Sequence, residues 1–166
     1  VEGIITTGTW VFIIMPSGTI TGGSSTAYIY GRLRYGYNTK GSRTFPVGTA
    51  TTYGPMVFNY VTLTGTSYVD VEYIGGVIPG IIPGNITSYA DHYWIISQTG
   101  GINFTFTLTL NVSGFNPVGS VWMMRGDGVN IQTVSTTAPN YTNTTVWDEF
   151  GDFTLGEVFC ANPSGL

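Results

Sequence analysis

From Asn103 to Val112 every second residue is apolar. Phe104, Phe106, Leu108, Leu110 and Val112 point one way; Asn103, Thr105, Thr107, Thr109 and Asn111 point the other. A period of two belongs to a strand buried on one face, here with a hydroxyl-rich outer face. Tyr68–Tyr73 repeats the pattern, with Val69, Val71 and Tyr73 opposite Tyr68, Asp70 and Glu72. Further strands are predicted at Ile4–Met15, Ala27–Tyr35, Met56–Thr64, Tyr89–Ser97, Val121–Arg125, Asn130–Ser135 and Asp152–Phe159. Turn residues separate them at Pro16-Ser17-Gly18, Pro79-Gly80, Pro83-Gly84 and Asp127-Gly128. No segment carries a capped apolar stripe of helical period. The pattern predicts an all-β chain, an antiparallel β-sandwich of jelly-roll or Ig-like type with roughly 9–11 strands, folded as one domain over residues 1–166.

One run breaks the alternation. Trp10, Val11, Phe12, Ile13, Ile14 and Met15 are apolar without interruption. A strand apolar on both faces must be covered on both. That predicts a central sandwich strand, or else an N-terminal segment covered by another copy through strand addition. Residues 1–15 are therefore the candidate strand-exchange segment, with Trp10, Val11, Phe12, Ile13 and Ile14 at the joint. They suit donation better than Val158–Leu166, where Asn162, Pro163 and Gly165 interrupt pairing.

Composition narrows the function. Charged residues make up 8% of the chain, against roughly 25% in a typical soluble protein. Five Lys and Arg, nine Asp and Glu and one His leave little for acid–base or metal chemistry. There is no basic patch to follow a phosphate backbone, so nucleic acid is not expected as a partner. The longest apolar run is too short to span a bilayer. A surface of Thr, Ser, Gly, Asn and Tyr has few charges to repel a neighbouring copy. Val1 is not a start methionine and no export signal precedes it, so a mature, processed and exported product is expected. Cys160 is the single cysteine; it reads as a small apolar residue near the chain end, or as one half of an intermolecular disulfide.

Several motifs occur in a fixed order. Gly18-Thr-Ile-Thr-Gly-Gly-Ser-Ser-Thr-Ala-Tyr28-Ile-Tyr-Gly31-Arg-Leu33 is followed by Thr44-Phe-Pro-Val-Gly48 and Tyr53-Gly54-Pro55. Tyr93-Trp94-Ile95-Ile96 and Phe150-Gly-Asp-Phe153-Thr-Leu-Gly156 come later. Together they resemble a module of secreted cell-surface proteins in Bacteroidetes and related bacteria. The resemblance implies an all-β extracellular module, often found just ahead of a type IX secretion sorting domain. It implies no catalytic site. No sorting domain follows Leu166 in this sequence and no upstream repeats precede Val1, so a processed piece or a stand-alone subunit is expected.

The remaining candidates have simpler readings. Asp70 and Glu72 share one strand face and read as a solvated pair rather than catalytic carboxylates. Asp91-His92 puts one imidazole beside one carboxylate, but no nucleophile elbow accompanies it. Arg125-Gly126-Asp127 spells a cell-attachment tripeptide, yet strand-Arg followed by Gly-Asp-Gly is ordinary hairpin chemistry. Asp127 with Asn130 falls short of a calcium site. Sequons at Asn85, Asn103, Asn111, Asn140 and Asn143 are candidate glycosylation sites. Among the tryptophans, Trp94 and Trp122 read as core, while Trp147, beside Asp148 and Glu149, is the candidate sugar-stacking residue.

The expected function is thus a non-enzymatic extracellular structural or adhesive protein, a self-assembling subunit of a surface filament. The alternative is a carbohydrate-binding module that meets surface glycans. No cofactor, metal ligand set or catalytic residue is expected.

Overall fold

The computed structural model describes residues 3–128 and 130–158, and these form strands without a helix. The strands are β1 (Ile5–Ile14), β2 (Ile29–Tyr37), β3 (Gly41–Phe45), β4 (Val47–Gly48), β5 (Met56–Gly75), β6 (Ile86–Tyr89), β7 (His92–Asn111), β8 (Ser120–Arg125), β9 (Ile131–Thr137), β10 (Asn140–Asn143) and β11 (Gly151–Val158). All join one sheet in the order β1-β2-β5-β7-β10-β9-β8-β11-β6. In addition β3 pairs with β5, β4 with β2, and β11 with β7.

Two long strands shape this sheet. Both β5 and β7 are 20 residues long and pair with each other along nearly their whole length. The sequence pattern suggests strand breaks in each, because Gly65, Gly100 and Gly101 interrupt it. These glycines take positive φ values of 83°, 71° and 66°, and the register slips around them between Tyr60 and Ser67. The interruptions are bulges at which a continuous ribbon bends. Tyr60 Oη and Ser67 Oγ lie 2.7 Å apart although seven residues separate them, a stretch that would run roughly 23 Å if straight. The ribbon therefore doubles back, and its two halves face each other across the core.

Aromatic rings fill the space between. Tyr37 of β2 meets Tyr60 at 5.0 Å and Phe58 at 5.9 Å, both from the first half of β5. Phe58 stacks on Phe106 at 4.8 Å, and Phe106 on Phe150 at 4.7 Å. The alternation read from the sequence holds: Phe106, Leu108, Leu110 and Val112 are buried, as are Val69, Val71 and Tyr73. On the opposite face hydroxyls and amides bond across strands, with Thr109 to Thr142 at 2.8 Å and Thr62 to Thr105 at 2.9 Å. The pairings β7-β10-β9-β8-β11-β7 close on themselves, so these strands leave no unpaired edge between them.

The structure corrects the expected architecture in three ways. The sheet is mixed, since β1–β2 and β2–β4 are parallel. Strands β3, β4, β6 and β10 were not read from the apolar pattern: β4 and β6 are only two and four residues long, Gly41-Ser42-Arg43 and Asn140-Tyr141-Thr142-Asn143 are mostly polar, and all form because neighbouring strands offer a ladder. The Trp10–Met15 run is not a central strand, because β1 stands at one end of the strand order.

Buried phenols give an alkaline prediction. Burial pushes the Tyr60 hydroxyl up to about 12 and raises Tyr37 and Tyr73 as well. For an acid with a raised folded pKa, the stability is fully present below the unfolded value near 10 and lost as pH rises through the folded one. Phenolate absorbance should therefore rise in two stages, the buried set ionising together with loss of near-ultraviolet dichroism. One smooth titration centred near pH 10 in a folded chain would contradict this.

Candidate functional site

Strand β1 is the element that the rest of the fold leaves least covered. Its one strand partner among the described residues is β2, in the parallel register Ile5↔Ile29, Thr6↔Tyr30, then Val11↔Arg32 to Ile14↔Tyr35. Between Thr6 and Val11 the chain of β1 loops outward over the single residue Gly31. Gly8 supplies a φ of 59° there, and Gly31 makes room: a Cβ on it would lie 2.1 Å from Thr7 Oγ1. Thr7 Oγ1 in turn accepts the Arg32 amide at 3.2 Å. Phe12 and Ile14 turn inward and pack on the core. Trp10, in the outward loop, is 80% exposed, and Ile13 and Met15 are half exposed or more. An apolar edge of this kind is unusual on a monomer surface.

Beside this edge lie the ion pairs. Arg34 holds Asp70 with two hydrogen bonds of 2.6 and 2.7 Å, and Arg32 reaches Glu72 at 3.3 Å. The register Arg34↔Asp70 makes both pairs cross-strand neighbours. Asp70 is buried and paired, which corrects its reading as a solvated residue. The opposite charges two residues apart, on 32/34 and 70/72, were the available signal. The hydrogen bonds that Arg34 donates to Asp70 raise its pKa above the ordinary guanidinium value.

The Arg125-Gly126-Asp127-Gly128 segment forms the expected turn, closed by the Gly128 amide on the Arg125 carbonyl at 3.0 Å. The Arg125 guanidinium is held by Asp127 and Glu149. The cavity of ≈ 520 Å³ beside this turn is thus lined by a single guanidinium already shared between two carboxylates, with Asp152 as a third acid on its wall. Asp152, on its wall, has its carboxyl raised by burial. Its ionised form costs stability, so that cost appears as pH rises through the folded pKa. Asp152→Asn should raise the melting temperature at pH 7 and lose the advantage near pH 3, by a small amount because solvent screens the exposed part. Equal melting temperatures at pH 7 would count against it.

Asp91 and His92 do meet, with Nδ1 2.5 Å from Oδ1, and His92 stacks on Tyr73 at 5.1 Å. Thr52 and Ser113 line the same surface hollow, but neither hydroxyl hydrogen-bonds the imidazole. No group of three or more His, Cys, Asp or Glu is placed to hold a metal among the described residues.

Two candidate positions are corrected by burial. Trp147 is 4% exposed, edge-on to Phe153 at 5.1 Å, and its backbone pairs with Phe106. It cannot serve as a sugar platform in the folded chain. Asn143 is buried, its Oδ1 accepting the Leu108 amide at 2.5 Å, which closes it to a glycan. Asn85, Asn103 and Asn140 are exposed; Asn111 is half-buried and donates to Asn140 Oδ1 at 2.8 Å. Trp94 is core as expected, whereas Trp122 is only half-buried. Glu2, Cys160 and the stretch Phe159–Leu166 lie outside the described residues.

No protein-family model, curated protein or solved structure is similar to this chain. No helix among the described residues is long and apolar enough to cross a membrane.

Proposed function

We propose that the protein is a non-enzymatic extracellular subunit that polymerises through β1. The observation that carries this reading is that β1, a ten-residue strand at the end of the strand order, has β2 as its one strand partner among the described residues and so can be supplied by another copy without disturbing a second strand. In the polymer, β1 of one copy takes the parallel place beside β2 of the next. The receiving position is already shaped, with Gly31 under Thr7 and the core under Phe12 and Ile14. Exchange recreates in trans the contacts made in cis, which makes it a low-cost route to assembly. The low charge of the chain favours the same reading.

Electron microscopy and light scattering on the full chain test it. Filaments or other regular polymers are the expected result; a monodisperse monomer at high concentration would overturn it. The geometry of the joint is separately readable. In a Thr6→Cys/Tyr30→Cys/Cys160→Ser chain, oxidised polymers should run as covalent ladders without reductant, whereas crosslinks confined within single chains would refute exchange while leaving polymerisation standing.

A further inference from the structure

The motif Thr44–Gly48 with Tyr53-Gly54-Pro55 is partly structural. Phe45 and Val47 are buried, and a Cβ on Gly48 or Gly54 would press into the ring of Tyr28 or Tyr73 at 2.5 or 2.3 Å. The bridge Gly48↔Tyr53 closes the segment on itself. Pro46 is buried as well, while Thr44, Tyr53 and Pro55 line a cavity of ≈ 160 Å³ where β3, β5, β7 and β10 come together. Its apolar wall comprises Tyr53, Pro55, Met56 and Val57; Thr44, Thr109, Asn111 and Asn140 supply its polar wall.

We propose that this cavity binds a single neutral sugar ring. It is smaller than the roughly 300–1,000 Å³ of a drug-sized ligand site, so one ring fills it. No charged side chain lines it, which leaves phosphates, carboxylates and amines without a counter-charge. The polar wall consists of hydroxyls and carboxamides, groups that both donate and accept, as sugar hydroxyls do. The Tyr53 ring and Pro55 offer an apolar wall to the C–H face of such a ring.

The polar wall is also set in advance. The Asn111 amide nitrogen of the backbone donates to the Pro55 carbonyl at 3.1 Å, and its side chain bonds Asn140 at 2.8 Å. Thr109 and Thr142 share a hydrogen bond of 2.8 Å. The Tyr53 ring is steadied against Tyr28, their centroids 5.5 Å apart. Groups already ordered lose little freedom when a ligand arrives. Nothing in this site depends on β1.

Saturation-transfer NMR on the full chain tests the site, with the methyl glycosides of glucose, galactose, mannose and N-acetylglucosamine as probes. At least one should receive saturation and shift the Tyr53 ring resonances. Asn140→Ala removes an exposed side chain and should weaken that binding about tenfold, as should Thr109→Val, each by loss of one hydrogen bond. Asn85→Ala, away from the cavity, should leave it unchanged. Absence of transfer to all four glycosides would overturn the proposal, as would transfer that Asn140→Ala and Thr109→Val leave intact.

Discussion

A chain lacking residues 1–15 should remain monomeric under conditions in which the full chain polymerises. The deletion removes the donor and, at the same time, uncovers the place on β2 that a neighbour's strand would fill. Phe12 and Ile14 no longer cover the core, and full burial of such a side chain is worth roughly 1.5–3 kcal/mol. The truncated monomer should therefore be less stable as well as unable to assemble. Adding the full chain back should cap it, since one intact β1 can occupy one vacant β2 edge. Sizing and electron microscopy of the truncated chain decide the matter. Normal polymers from it would remove β1 from the joint and leave it an ordinary edge strand.

Trp94→Ala should be the most damaging single core substitution. Trp94 is fully buried in β7, its ring 4.9 Å from Tyr73, and its indole nitrogen donates to the Gly54 carbonyl at 2.9 Å. Truncation leaves a cavity the size of an indole and a buried carbonyl without its donor. Such losses cost about 3–5 kcal/mol. In a domain of this size that corresponds to a fall in melting temperature of roughly 6–20 °C. Trp122→Ala, at a half-buried position, should cost clearly less. Calorimetry on both variants gives the comparison; a fall of less than about 2 °C for Trp94→Ala would mean that the core between β5, β7 and β11 is not packed as described.

Much of the fold was legible because the apolar alternation is local. Asn103–Val112 and Tyr68–Tyr73 carry their own burial pattern, and each lies where that pattern placed it. The ends of β5 and β7 were not legible. A glycine with positive φ breaks a strand or bends it, and only the partner strand decides which. At Gly65 and Gly100–Gly101 two bulged strands face each other, so the ribbon continues through the bend. The Trp10–Met15 run misled for a related reason. Six apolar residues in a row say that both faces want cover, but not whether the cover lies in the same chain. Trp147 misled because its acidic neighbours Asp148 and Glu149 suggested a wet surface, while its backbone pairing with Phe106 turns the ring inward. The sugar-sized cavity was half visible: Thr44, Tyr53 and Pro55 stood in the motif, but Asn111 and Asn140 join them only through the β7–β10 ladder.

The placement of the few cations governs how the molecule meets a protease or a labelling reagent. All four arginines sit within strands, on β2, β3 and β8, and each is engaged: Arg32 with Glu72, Arg34 with Asp70, Arg43 with the Pro16 carbonyl, and Arg125 with Asp127 and Glu149. Lys40, the one lysine, lies exposed in the turn between β2 and β3. A trypsin-like enzyme needs an extended, accessible bond after lysine or arginine, and among the described residues the folded chain offers that at Lys40 alone. A shell of such subunits would shed digestive attack at every other basic position, and an amine-directed dye would mark each copy at this turn.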